Sequence, residues 1–308
     1  MSTRFTVLTG GVGGAKLVDG LTRILPPHSL TAIVNTGDDF RHFGLPISPD
    51  IDTLLYTLSG QSNQELGWGR EGETWNFMAV LRSLGEEDWF NLGDGDLALH
   101  ILRGAALAAG DSLSVITARF AKAWGLPLSV LPMSDDSVAT WVATDEGLLP
   151  FQRYFVEHRC APKVQMVRFE GSAEAQPAPG VISAIMACEA VFIAPSNPWL
   201  SVDPLLSIAA IRTALEETRA PVVAVSPLIT GKAVKGPTAK LMAELGLDVT
   251  NAAIAYHYGD WLDGLVVHSE DDAPDTLAIA RTNTLMISPD DRERVARAAM
   301  DLAAQLTR

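Results

Sequence analysis

Phe5-Thr6-Val7-Leu8, Gly10-Gly11-Val12-Gly13-Gly14 and the run from Ala15 to Leu25 decide the fold. The first reads as a short apolar strand and the second as a glycine-rich turn. The third is an amphipathic helix with Leu17, Val18, Leu21 and Ile24 on one face. Strand, glycine turn and helix in that order put free backbone N–H groups and the positive end of a helix where a phosphate can sit. Glycines, lacking Cβ, let such a ligand come close to the main chain. The turn matches neither standard nucleotide fingerprint. Lys16 stands where the dinucleotide pattern has a third small residue, and the Gly-Lys-Ser/Thr ending of a P-loop is absent. Gly11, Val12, Gly13 and Gly14 are therefore candidate phosphate contacts on the order of elements, not on a motif.

Further apolar, β-branched runs at Leu30 to Val34, Ala190 to Ala194 and Val222 to Val225 read as buried parallel strands. Helix candidates at Gly180 to Cys188, Pro204 to Glu217 and Pro237 to Leu245 alternate with the last two. That alternation predicts an α/β fold, a Rossmann-like, doubly wound and mostly parallel sheet. The middle of the chain differs. Helical patterns at Thr53 to Leu58, Thr74 to Leu84, Leu97 to Ala109 and Leu113 to Trp124 are followed by strand-like runs at Leu128 to Leu131, Ala139 to Val142, Phe151 to Glu157 and Val164 to Phe169. These runs are expected to form a mixed or antiparallel extension. The organisation expected is one Rossmann-like domain over residues 1–308, with an inserted helical and mixed-strand subdomain spanning about 53–175. Glu170 to Pro179 reads as a surface loop, and Asp290 to Thr307 as a closing helix whose start is marked by Pro289-Asp290-Asp291.

The chain has 308 residues and a formal net charge of −14. An acidic balance argues against nucleic acid or an anionic membrane as the main partner, because a phosphate backbone rewards clustered Lys and Arg. Cys160 and Cys188 have neither metal-ligand nor redox spacing and read as reduced core thiols. No apolar run approaches a membrane span and the N-terminus shows no signal-peptide pattern, so a cytoplasmic protein is expected.

Asn35-Thr36-Gly37-Asp38-Asp39 and Pro49-Asp50-Ile51-Asp52-Thr53 crowd four carboxylates just downstream of the glycine turn. Carboxylates this close are costly to ionise together unless they surround a cation, and Mg2+ beside a phosphate is the natural one. Other polar clusters follow strands, where ligands bind in open α/β sheets. Pro195-Ser196-Asn197-Pro198 is a stiff loop whose Asn either reads a nucleobase or closes its own Asx turn. Lys232 and Lys235, next to glycines, are either phosphate-neutralising or simply solvated. Asp96 suits a helix N-cap, and His100 lies within a helical apolar pattern.

These residues resemble a known family, the 2-phospho-L-lactate transferases that build the deazaflavin coenzyme F-420. The resemblance runs in order through Gly10-Gly11-Val12-Gly13-Gly14, Asn35 to Asp39, Ser48-Pro49-Asp50-Ile51-Asp52-Thr53, Gly67-Trp68-Gly69, Leu92-Gly93-Asp94, Met133-Ser134-Asp135-Asp136, Phe151-Gln152, Pro195-Ser196-Asn197-Pro198 and Ser226-Pro227. It implies a Rossmann-like homodimer. It also implies transfer of a phospholactyl-type group from a guanosine diphosphate ester to the deazaflavin alcohol Fo, releasing GMP. The acid in the donor is lactate, enolpyruvate or glycerate among relatives. One departure stands out: many relatives carry Arg between the aspartates where this chain has Gly95, so Arg103 or Lys232 is the expected substitute cation.

On this reading Asp50 is the expected magnesium ligand, with Asp38 or Asp39 assisting. Asp52 accepts a hydrogen bond from the ribityl hydroxyl of Fo and orients or deprotonates it. The glycine turn holds the diphosphate and Asn197 the guanosine half, and Asn35, Ser196 and Lys232 complete the candidate substrate contacts. Two other classes fit parts of the pattern. A nucleotide-sugar-binding regulator of the gluconeogenesis-factor family shares the glycine turn and paired aspartates, but Phe40-Arg41-His42-Phe43 replaces its glycine- and serine-rich continuation. A nicotinamide-dependent dehydrogenase would read a ribose with Asp38 or Asp39, but lacks its third glycine here.

Overall fold

Val7, Ala32, Phe192, Val223 and Val266 pack on one face of a central sheet, and their chain neighbours Leu8, Ile33, Ile193, Ala224 and Val267 on the other. Side chains alternate along a strand, so apolar residues at every position mean burial on both faces. The computed structural model describes residues 4–233 and 236–306, with Lys232 and Ala233 described by backbone alone.

Seven strands form this sheet in the order Ala278–Thr282, Gly264–His268, Val222–Val225, Ala190–Ile193, Phe5–Thr9, Leu30–Val34, Ser129–Pro132. All neighbours in it are parallel. The α/β, doubly wound sheet expected from the strand–helix alternation is thus present. The chain winds outward from Phe5–Thr9 through Leu30–Val34 to Ser129–Pro132. It then returns to the other side of the first strand, at Ala190–Ile193, and winds the opposite way. The order therefore reverses between Phe5–Thr9 and Ala190–Ile193, and a ligand crevice is expected beyond the carboxyl ends of these two strands.

Several elements differ from the sequence reading. The helix after the first strand spans Gly11–Ile24, so the glycines form its first turn instead of a separate loop. The next helix begins at Pro49, four residues earlier than its apolar pattern, because a proline at the first position suits a helix start. Ser129–Pro132 joins the main sheet, pairing parallel with Leu30–Val34. Ala139–Thr144, Gly147–Pro150 and Val164–Glu170 form a separate antiparallel sheet. Phe151 to Glu157 is no strand: Arg153–Glu157 is a π-helical turn, closed by the bond from His158 N–H to the Arg153 carbonyl. The expected helix over Pro204 to Glu217 is two pieces, Asp203–Leu206 and Ala209–Glu217. The closing helix, Pro289–Gln305, starts at a capping box in which Ser288 and Asp291 bond each other's backbone N–H groups.

A hairpin of Phe40–His42 and Leu45–Ile47 carries a small core of its own with Met78, Leu81 and Leu92. No helix among the described residues is long and apolar enough to cross a membrane.

Candidate active site

The two loops at the switch point are tied together. Ser196 Oγ donates to the Gly10 carbonyl at 2.6 Å. A Cβ on Gly13 would stand 2.7 Å from the Pro195 carbonyl, and one on Gly14 would run into Thr9 Oγ1 and lie 3.0 Å from Ser196 Oγ. Gly13 and Gly14 are therefore glycines because the loops pack there, while Gly11 has a positive φ of 63° with open space beside it. A Gly14→Ala variant is expected to lose roughly 1–3 kcal/mol through overpacking. Urea unfolding measures this, and an unchanged midpoint would show that the Thr9 and Ser196 side chains simply yield.

Asp50 lies in the first turn of the helix Pro49–Leu58 and faces the glycine turn. Its Oδ1 accepts from Gly11 N–H at 2.7 Å and its Oδ2 from Asn35 Nδ2 at 3.0 Å. Asn35 Oδ1 in turn accepts from Gly37 N–H at 2.8 Å, so both ends of this amide are used inside the protein. Burial pushes the Asp50 carboxyl up to about 6, and burial together with the neighbouring Asp50 charge holds Asp38 well above the ordinary range. Asp38 Oδ1 is buried with no partner. Asp39 is also raised by burial, against a 2.6 Å hydrogen bond from Ser48 Oγ.

Among the described residues no group of three His, Cys, Asp or Glu side chains is arranged to hold a metal ion. Asp38 and Asp50 nonetheless fit Mg2+, which characteristically takes one or two carboxylates and fills its shell with water and ligand phosphates. The unpaired Asp38 oxygen and the mutual repulsion of the two carboxyls are what a cation there would relieve.

Asp52, two residues on, turns to a different partner. Both of its oxygens accept from the Arg103 guanidinium, Oδ2 at 3.2 Å from Nη1. Arg103 is 1 % exposed and also donates to the Pro46 carbonyl. It is thus committed to Asp52 and is not free to serve as the substitute cation at a phosphate. His100 lies 3.3 Å from Arg103 and 3.5 Å from Asp96, and Asp96 accepts from the Tyr56 hydroxyl. Asp52, Tyr56, Asp96 and His100 all border one cavity of about 700 Å³, together with Asp38, Asp50 and the glycine turn.

This cavity also gathers Ser196 and Asn197. Asn197 Oδ1 caps the following turn by accepting from the N–H groups of Trp199 and Leu200, which leaves its buried Nδ2 as an unpaired donor. The Asx-turn reading of that residue is thus met, and its amide nitrogen stays available to a ligand. Asn35 lies behind the wall. The Lys232 side chain lies outside the described residues. Lys16 stands where the turn departs from the dinucleotide fingerprint. It borders the cavity and donates to the Met286 carbonyl at 2.7 Å. Trp68, Phe90, Phe151 and Phe155 supply aromatic surface, the last two stacked with centroids 5.3 Å apart.

A family model described as 2-phospho-L-lactate transferase CofD matches residues 5–306. The chain belongs to this family. It is 41% identical over 274 residues to a phosphoenolpyruvate transferase of Streptomyces griseus, covering 87% of this chain and 86% of that protein. It is 38% identical over 297 residues to a 2-phospho-L-lactate transferase of Methanosarcina mazei, covering 94% and 97%. The crystal structure of a UPF0052-family protein from Bacillus halodurans shares the fold, with a TM-score of 0.65 at 18% identity over 97% of this chain and 99% of that one.

Against the family pattern, Gly95 makes room for a neighbour. A Cβ there would lie 2.7 Å from Arg70 Nη1, and the Gly95 N–H donates to Glu73 Oε2 at 2.6 Å. Arg70 pairs with Glu73 at 3.6 Å, so a guanidinium does stand beside this turn, reached from elsewhere in the chain.

Proposed function

We propose that this chain transfers a phospholactyl-type group, with lactate, enolpyruvate or glycerate as its acid, from a guanosine diphosphate ester to Fo. GMP is released, as a step of coenzyme F-420 biosynthesis. The observation that carries the reading is the bond from Gly11 N–H to Asp50, which joins the glycine turn, a helix N-terminus of the kind that suits phosphate, to a pair of carboxylates suited to Mg2+. Family membership supports the same chemistry.

Asp38 and Asp50 would hold the cation, which supplies neutralisation of charge on the transferring phosphoryl group. Phosphoryl transfer asks a protein mainly for alignment and charge balance. The glycine turn and Lys16 face the diphosphate, and Asn197 Nδ2 is free to meet the guanosine half. Asp52, held in place by Arg103, accepts the hydrogen bond of the attacking ribityl hydroxyl. Held by its ion pair to Arg103, Asp52 has orientation of the hydroxyl as its first task; the proton leaves late, through Asp52 to water. The chain works in the cytoplasm as a homodimer on this reading.

The test is a mass-spectrometric assay with Fo, Mg2+ and three competing guanylylated donors bearing lactate, enolpyruvate and glycerate. GMP and one phospho-acid ester of Fo are the expected products. Failure to form any such ester, with tight binding of a nucleotide sugar instead, would overturn the proposal.

A further inference from the structure

A second cavity, of about 590 Å³, adjoins the first, and Asp38, Ile47, Phe151 and Gln152 border both. Its wall holds an unusual concentration of unsatisfied groups. Thr36 Oγ1, Asp38 Oδ1, Asp39 Oδ1, His42 Nε2, Thr140 Oγ1 and Trp141 Nε1 are all buried without a partner, and all belong to residues lining it. Thr36 and Thr140 are each 3 % exposed. Buried polar atoms of native proteins are nearly always paired, so a set of orphans around one cavity marks a place where something polar sits.

Resting on the transferase reading above, we propose that this second cavity is the side pocket for the three-carbon acid of the donor, a short carboxylate, and that its polar wall selects among such acids. The stereochemistry of transfer requires a pocket of this kind. The Fo hydroxyl oxygen forms the new bond to the phosphorus, the bond to the bridging oxygen of GMP breaks, and GMP leaves with that oxygen. The hydroxyl proton passes to Asp52 and on to water. Attacking and leaving oxygens lie roughly in line. The acid, bonded to the same phosphorus throughout, must then project sideways from that line. The large cavity takes the two axial groups, and Asp38, part of the cation site, stands where the side opening begins.

The chemistry of the wall suits a carboxylate. Trp141 Nε1 can only donate, and the Thr36 and Thr140 hydroxyls donate freely. Arg103 and Arg153 also border the cavity, but Arg103 is held by Asp52 and Arg153 by Glu87 and Glu157, so the neutral donors carry the recognition. Asp135 and Asp136 are spent elsewhere, Asp135 on the N–H and hydroxyl of Ser114 and Asp136 on Gln176 N–H. The cavity is larger than a three-carbon acid, so hydrogen bonding and not volume would discriminate. Sites that read a substrate through hydrogen bonds discriminate far better than those that read its size.

The experiment uses the full chain with Mg2+, Fo and the three guanylylated donors in competition, comparing the parent with Thr140→Val and Trp141→Phe. Both substitutions remove one polar atom and nearly keep its shape. The expected result is a fall in donor kcat/KM on the order of tenfold to a hundredfold per variant, with a changed ratio among the three donors. Affinity for Fo, read by its own fluorescence, and affinity for GMP should stay unchanged. Calorimetry checks folding, and Thr36→Val, on a different segment of the wall, repeats the measurement if either variant melts early. Unaltered donor selectivity in all variants overturns the proposal. So does a selective loss of Fo affinity, which would give the cavity to the acceptor. A parent that transfers from none of the donors fails at the transferase reading itself, a result distinct from either.

Discussion

Arg103→Met is expected to destabilise the protein by about 3–5 kcal/mol, the usual cost of leaving a buried charge without its partner. Asp52 is 5 % exposed and takes both of its strong hydrogen bonds from this one guanidinium. Without it the carboxylate must either stay charged in a poorly solvated wall or take up a proton. Methionine has similar length and apolar bulk, so the loss would be electrostatic more than steric. Thermal unfolding should register a fall in melting temperature on the order of 10 °C. The double variant Asp52→Asn/Arg103→Met is expected to recover part of the loss, since it removes both charges, and the coupling between the two sites is then measured directly. If Arg103→Met melts within about 1 kcal/mol of the parent, the pair contributes no more than an exposed ion pair would. The same pairing alters what Asp52→Asn reports: it leaves Arg103 buried without its counter-charge, so a lost rate must be read beside a measured stability.

Local patterns carried the fold a long way. Phe5 to Leu8 with its glycines, the apolar runs at Leu30 and Val222, and the Pro289-Asp290-Asp291 start of the last helix each state their conformation within a few residues. Where neighbours decide, sequence was mute. Ser129–Pro132 looks like any short strand, and only the packing of the sheet makes it the seventh parallel member. Phe151 to Glu157 has the aromatic and β-branched composition of a strand but forms a π-helical turn, whose bonds reach five residues along the chain. Ala278–Thr282, at the sheet edge, is half-exposed and lacks the apolar run that marked the inner strands. In the site, the closeness of Asp38 and Asp50 was legible because both follow the glycine turn in a crowded stretch. The claim of Arg103 on Asp52 was not, because it joins residues far apart in sequence. Nor was the packing role of Gly13 and Gly14, which depends on a loop nearly two hundred positions away.

Asp50→Asn is expected to reduce transfer on the order of a hundredfold to a thousandfold, the scale of losing one preorganised electrostatic group at a transition state. Two effects combine. The cation site loses one of its two carboxylates, and the glycine turn loses its anchor. Asp50 accepts from Gly11 N–H with one oxygen and from Asn35 Nδ2 with the other. An amide has a single acceptor, so its NH2 must face one of these donors and push it away. Magnesium titration calorimetry should show the affinity lost in Asp50→Asn and in Asp38→Asn, and kept in Asp39→Asn, whose carboxyl borders only the second cavity. Unchanged affinity in Asp50→Asn would remove that residue from the cation site. Stability gives an independent check through its pH dependence. The folded protein holds the Asp50 proton up to about pH 6, whereas the unfolded chain releases it near the ordinary carboxylate value of 3.8. The contribution is therefore fully present below the unfolded value and lost as pH rises towards 6, amounting to roughly 3 kcal/mol. Without Mg2+ the parent should weaken across this window, and Asp38, also raised by burial, acts in the same direction. Asp50→Asn has no proton to lose at that position and should show a shallower decline between pH 4 and 6. Saturating Mg2+ should flatten the parent's decline, because a cation stabilises the ionised pair that burial alone disfavours. A parent profile indifferent to Mg2+ across this range would mean that the two carboxyls do not share an ion, whatever their proximity.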